Sequence, residues 1–148
     1  MFTNIVVGID DSPTARLAVR AAGELAHRDA TGPVHVVTGY HPISEQELAH
    51  MTKDLPREFR TELTSDQTGT AIAAAAEQQL RTMGVETVTH VVPATGAEAV
   101  LDVADEVGAD LIVVGSRSHG TARRMRHGSV SRKVVHHAPC SVLVVHVA

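Results

Sequence analysis

Aromatic residues are almost missing from this chain. Among 148 residues there is no tryptophan, one tyrosine (Tyr40) and two phenylalanines (Phe2 and Phe59). Stacking platforms for single-stranded nucleic acid need several exposed rings, so nucleic acid is not an expected partner. Cysteine occurs once, at Cys140, which excludes an internal disulfide and makes an intracellular, cytoplasmic setting the expectation. No apolar run approaches the roughly 18 residues that a membrane span needs, so no membrane association is expected. The opening residues, MFTNIVVGIDDSP, have neither the basic start nor the small-residue cleavage site of a secretory signal. Two phosphate-binding signatures are absent as well. There is no G-x-x-x-x-G-K-[ST], and no G-x-G-x-x-G follows the first apolar run.

The last absence is regional. All 17 acidic residues lie in 1–110 beside seven Lys/Arg, whereas 111–148 carry six Lys/Arg and no acid. The net charge of −4 thus conceals a basic C-terminal segment behind a strongly acidic body. Such a division points to an anionic ligand near the C-terminal segment, or to a solvated basic helix face.

What remains is ordered. TNIVVGID (3–10) is a short, continuous apolar run of the kind buried on both faces of a parallel sheet. The next segment places Leu17, Ala18, Ala21, Ala22, Leu25 and Ala26 on one helical stripe. Asp11 or Ser12 is its N-cap, with Asp11 the preferred choice, and Pro13 lies in the first turn. GPVHVVTGY (32–40) predicts a second strand. Residues 41–63 are polar, punctuated by Pro42 and Pro56, and predict at most a short helix. The Ala-rich stretch from Thr64 predicts a helix stopped by Gly84. VETVTHVVP (85–93) predicts a third strand, and a helix follows in which Thr95 and Glu98 form a capping box. DLIVVGS (110–116) predicts a fourth strand, SVSRKVVHHA a helix and CSVLVVHVA (140–148) a fifth strand. The alternation predicts one α/β domain over 1–148: a single open five-stranded parallel sheet, Rossmann-like, with helices on both faces.

Ligands of open α/β sheets sit beyond the carboxyl ends of the strands, where the strand order reverses. Two such ends stand out here, Gly8-Ile9-Asp10-Asp11-Ser12 and Gly115-Ser116-Arg117-Ser118. The second leads to Gly128-Ser129-Val130 at a helix start, where unpaired amides and the helix dipole favour an anion. Gly128 leaves room for phosphate oxygens, Ser129 adds a hydroxyl and Gly115 permits a tight exit from the strand; turn glycines and ordinary serine capping give the same pattern. Arg117 is a candidate fork donor to phosphate and equally a solvated loop charge. Arg123, Arg124 and Arg126 are hydrated charges that attract an anion from a distance. Ten histidines are present, but no His-x-x-x-His or Cys-x-x-Cys pair, so no protein metal site is expected; Cys140 reads as a small packed residue.

Gly115, followed after a gap by Gly128-Ser129, resembles the late glycine motif of the universal stress protein (UspA-like) family. In that motif a glycine, two residues, a glycine, nine residues and a further glycine precede Ser or Thr. IVVGIDDSPTARLAVRAAGELA and GSVSRKVVHHAPCSVLVVHV look like the family's first and last units. The resemblance implies a sheet ordered 3-2-1-4-5 and a nucleotide-binding stress or signalling module that takes ATP, with Mg²⁺ carried by the nucleotide. It also implies ribose or base contact at Asp10, adenine contact with backbone around Thr38-Gly39-Tyr40, and phosphates wrapped by Gly115, Ser118, Gly128, Ser129 and Val130. Pairing of the C-terminal edge strand, 141–147, is implied to make a homodimer. Ser118 departs from the pattern, standing where the motif has its middle glycine. Members lacking the motif imply the alternative of a protein that works through partners. With no placed general base, any ATP hydrolysis is expected to be slow.

Overall fold

The computed structural model describes residues 1–10, 12–41, 45–51, 53–54, 65–116 and 129–146. Its five strands are β1 (Ile5–Gly8), β2 (Val34–Gly39), β3 (Thr87–Val92), β4 (Leu111–Gly115) and β5 (Ser141–Val145). The helices among the described residues are α1 (Pro13–Asp29), α2 (Glu45–Met51), α3 (Ser65–Thr82), α4 (Gly96–Val107) and α5 (Ser129–His137). All strand pairs are parallel and the order is β3-β2-β1-β4-β5, as the family resemblance implies. The short α2 occupies the segment whose sequence was least regular.

Side-chain alternation along the strands divides the core in two. Ile5, Val7, Val34, Val36, Leu111 and Val113 meet α1 and α3 on one face. Val6, Val37, Ile112 and Val114 meet α4 and α5 on the other. Because β1 and β4 are central, both their faces are covered, which is why their sequences read as unbroken apolar runs. On α1 the buried stripe is Ala15, Ala18, Val19, Ala22, Gly23 and Ala26, and Leu17 faces outward. The expected stripe is thus rotated by part of a turn. At Gly23 the packing is close: a Cβ would lie 2.7 Å from Met83 Cε and 2.9 Å from Leu80 Cδ2, so those side chains would have to shift.

The N-cap of α1 is Ser12 rather than Asp11. Its hydroxyl accepts from the Ala15 amide at 3.3 Å and lies 3.0 Å from the buried Thr14 hydroxyl. Ser12→Ala should cost about 1 kcal/mol, read as a lower urea midpoint at unchanged m. Thr95 caps α4 as expected, accepting from the Glu98 amide, while the Glu98 carboxylate lies 3.9 Å from Lys133 Nζ. Gly84 and Gly108 adopt φ of +74° and +64° just past α3 and α4, conformations that favour glycine.

The opposite end of the sheet is tied by Asp110. Its carboxylate accepts from the Thr3 amide at 2.8 Å, the Thr3 hydroxyl at 2.9 Å and the Asn4 amide at 2.9 Å. The Asn4 side chain in turn donates to the Val107 carbonyl. Burial pushes the Asp110 carboxyl upward, but the hydrogen bonds from Thr3 and Asn4 outweigh it and hold the group below its ordinary 3.8. A depressed folded-state value favours the charged form, so the stabilisation is present above about pH 4 and is lost as pH falls through the folded value. Asp110→Asn should therefore lower the melting temperature at pH 7, and the gap between the two proteins should narrow as the pH falls below 4; equal melting at pH 7 would remove the anchor from the account.

Candidate functional site

β1 leaves the sheet at the strand-order reversal, and the strand ends and helix starts around it form a cleft of about 310 Å³. Its wall includes Asp10 and Ser12 after β1, Thr38 and Gly39 at the end of β2, and Gly115 at the end of β4. The early turns of four helices complete it: Ala15 of α1, Thr68 of α3, Gly96 of α4 and Val130 of α5. Helix starts carry partial positive charge and unpaired amides, so their convergence makes the cleft receptive to an anion. The volume lies at the lower end of the range for small-molecule sites, about 300–1,000 Å³.

Asp10 is placed by its own turn. Its Oδ1 accepts from the Ser12 amide at 2.8 Å, an Asx-type closure that holds the carboxylate at the cleft while Ser12 caps α1. Asp10 and the helix cap are thus one local unit, and the carboxylate combines a structural contact with its place in the wall.

The glycines expected to approach a ligand have a nearer reason for being glycine. A Cβ on Gly39 would fall 2.4 Å from the Ala94 carbonyl oxygen and 3.0 Å from the Gly96 nitrogen. On Gly115 it would fall 2.9 Å from the backbone and Cβ of Thr14. The β3–α4 connection and the start of α1 therefore press directly on the ends of β2 and β4. Gly8, not singled out from the sequence, follows the same rule: its Cβ would meet Val100 Cγ2 at 2.6 Å. The amide of Tyr40, part of the expected adenine-facing backbone, is spent on the Val92 carbonyl at 2.9 Å.

Of the expected site residues, Asp10, Gly39, Gly115 and Val130 converge on the cleft, although Asp10 and Val130 are 120 positions apart in the chain. Ser129 opens α5. Arg117, Ser118 and Gly128 lie outside the described residues, as do Arg123, Arg124 and Arg126. The sequence did not single out Thr68, Ile72, Gly96 or Val100 as site residues. They are ordinary residues of amphipathic helices, and only the way those helices dock brings them to the wall.

A second groove, about 590 Å³, continues from the cleft between α1 and α3 and shares Ile9, Asp10, Ser12, Ala15, Thr68 and Ile72 with it. Among the described residues, no group of three or more His, Cys, Asp or Glu converges on a common point. No described helix is long and apolar enough to cross a membrane. Burial pushes the Cys140 thiol upward and the Asp110 charge adds to this, which keeps it protonated.

The sequence model of the Universal stress protein family matches residues 1–146. Universal stress protein YxiE of Bacillus subtilis (strain 168) is 30% identical over 147 residues, covering 98% of this chain and 99% of that protein. Against some other curated relatives the chain spans about half their length, 47%. A crystal structure of a universal stress protein in complex with cAMP superposes with a TM-score of 0.71 at 26% identity, covering 99% of this chain and 98% of that one. The universal stress protein from Archaeoglobus fulgidus in complex with dAMP gives 0.69 at 26% identity, covering 97% of each chain.

Proposed function

The chain belongs to the universal stress protein family, and on that premise we propose that the cleft at the strand-order reversal binds an adenine nucleotide, ATP with its Mg²⁺. The observation that carries the reading is the convergence of Asp10, Gly39, Gly115 and the start of α5 on one cleft, walled by the early turns of four helices. Asp10 takes the ribose or base edge and the end of β2 faces the adenine. Gly115, Ser118, Gly128, Ser129 and Val130 surround the phosphates, with Arg117 as a charged partner. Two relatives of known structure hold cAMP and dAMP. The preference for a triphosphate here rests on the acid-free segment 111–148, whose six cations favour the most highly charged member of the class. ATP would act as a signal, its occupancy shifting loop or dimer conformation in a cytoplasmic stress-response module.

Titration calorimetry with ATP, dAMP and cAMP, with and without Mg²⁺, tests this directly. Saturable heat with ATP tightest is expected. No heat with any of the three at millimolar concentration would overturn it. Ser118, standing where the family motif has glycine, favours a second reading in which the site is empty and the protein acts through partner proteins. Mass spectrometry of the denatured, freshly purified chain separates the two, because only the first predicts co-purified nucleotide.

The same reading includes a homodimer. Among the described residues β5 is an edge strand, with no strand paired on its outer side, and Leu143 and Val135 are partly exposed. Antiparallel pairing along 141–147 would cover them. Light scattering at micromolar concentration should give twice the chain mass of 15.7 kDa.

A further inference from the structure

At the other edge of the sheet, away from the cleft, lies a pair of side chains that the proposed function does not use. His35 on β2 and His90 on β3 bring Nδ1 and Nε2 to 3.0 Å, with ring centroids 5.3 Å apart and the planes tilted by 37°. The register pairs His35 with Val88 and Val37 with His90, so the two histidines are diagonal neighbours on one face of the sheet. That face is the one bearing Val37 and α4, and β3 is its outermost strand. Neither histidine lines the nucleotide cleft. Both rings are part-buried, and Val88, on the same face of β3, is 40% exposed, so water reaches the pair.

We propose that His35 Nδ1 and His90 Nε2 form a two-imidazole chelate for a late first-row divalent cation, Cu²⁺ foremost and then Ni²⁺ or Zn²⁺. Imidazole nitrogens bind such ions at about 2.0–2.1 Å, so two of them in adjacent, right-angled positions stand about 2.9 Å apart. The observed 3.0 Å matches that spacing, and binding requires each ring to turn its lone pair from the other nitrogen toward a shared ion. The hydrogen bond that now joins them uses a single ring proton, which moves to the outward nitrogen of the same ring by a change of tautomer. No third His, Cys, Asp or Glu joins the pair among the described residues, so water fills the remaining positions. This suits the tetragonal preference of Cu²⁺ and Ni²⁺ better than the closed tetrahedral set of structural zinc. The ion would pin the edge strand β3 to β2.

The test uses the intact chain with Cu²⁺ added as its sulfate. In NMR spectra of the unsubstituted protein, substoichiometric Cu²⁺ should broaden the imidazole signals of His35 and His90 before those of the other eight histidines. His90→Gln should weaken the tightest Cu²⁺ site about 100-fold, because a single imidazole loses the chelate advantage. His35→Gln should do the same if it folds, and the double variant His136→Gln/His137→Gln should leave the site unchanged. Loss of the site in the last variant, its survival in His90→Gln, or earlier broadening elsewhere would each overturn the assignment.

Discussion

Gly39→Ala should destabilise the protein by about 3 kcal/mol, near the upper end of what overpacking costs. Most residues tolerate an added methyl at a strand end. Here the methyl would sit 2.4 Å from the Ala94 carbonyl oxygen and 3.0 Å from the Gly96 nitrogen, and both obstacles are backbone. A side chain would swing aside, whereas these atoms belong to the connection that delivers Thr95 to cap α4. Relief therefore requires the β3–α4 connection to move as a unit. For a domain of this size the loss corresponds to a melting temperature lower by roughly 10 °C. An unchanged melting temperature would mean that the connection does not press on the end of β2, and the description of the cleft wall would have to change with it.

Gly96→Leu should have the opposite profile. Gly96 lines the same cleft, but a Cβ there would meet Val130 Cγ2 at an ordinary 3.5 Å and would touch no backbone. It is also the first residue of α4, where replacing glycine favours the helix by up to about 1 kcal/mol. Stability should therefore hold or rise slightly. The leucine side chain, however, would project between Gly96 and Val130 into the space assigned to the nucleotide. ATP affinity should fall at least about 100-fold, the loss of some 3 kcal/mol of binding, measured by calorimetry beside an unchanged thermal melt. A folded Gly96→Leu protein that binds ATP as before would exclude this cleft as the site. Together the two variants separate a glycine that serves the fold from one that serves the ligand, although Gly39 and Gly96 line the same cleft.

That separation was not legible in the sequence. The family resemblance implies ligand contact at Gly39 and Gly115, and the residues alone give Gly115 a tight exit from its strand. In the fold, the space next to each is taken by another part of the chain, the Ala94–Gly96 backbone in one case and Thr14 in the other. A glycine in a sequence states that something comes close but not what does. The same limit applies to α1, where Leu17 reads as part of the apolar stripe but the docking angle against β1 and β4 turns it outward. Asp10 was legible as a residue at a strand end, but not its bond to the Ser12 amide, because either Asp11 or Ser12 satisfied the capping pattern.

The alternation of buried runs and amphipathic stretches determined the architecture without help. A parallel sheet covered on both faces buries runs such as Ile5-Val6-Val7 and Leu111-Ile112-Val113-Val114 completely, their alternation with helical stretches favours that sheet, and the Gly, Ser, Thr and Pro signals mark where helices start or stop. The placement of Asp10, Gly115 and Val130 around one cleft, and of His35 beside His90, was decided only by tertiary structure. Periodicity reports which face of an element is apolar. It carries no information about which side chains, 55 or 120 positions apart, are brought together when strands choose their neighbours and helices choose their docking angle.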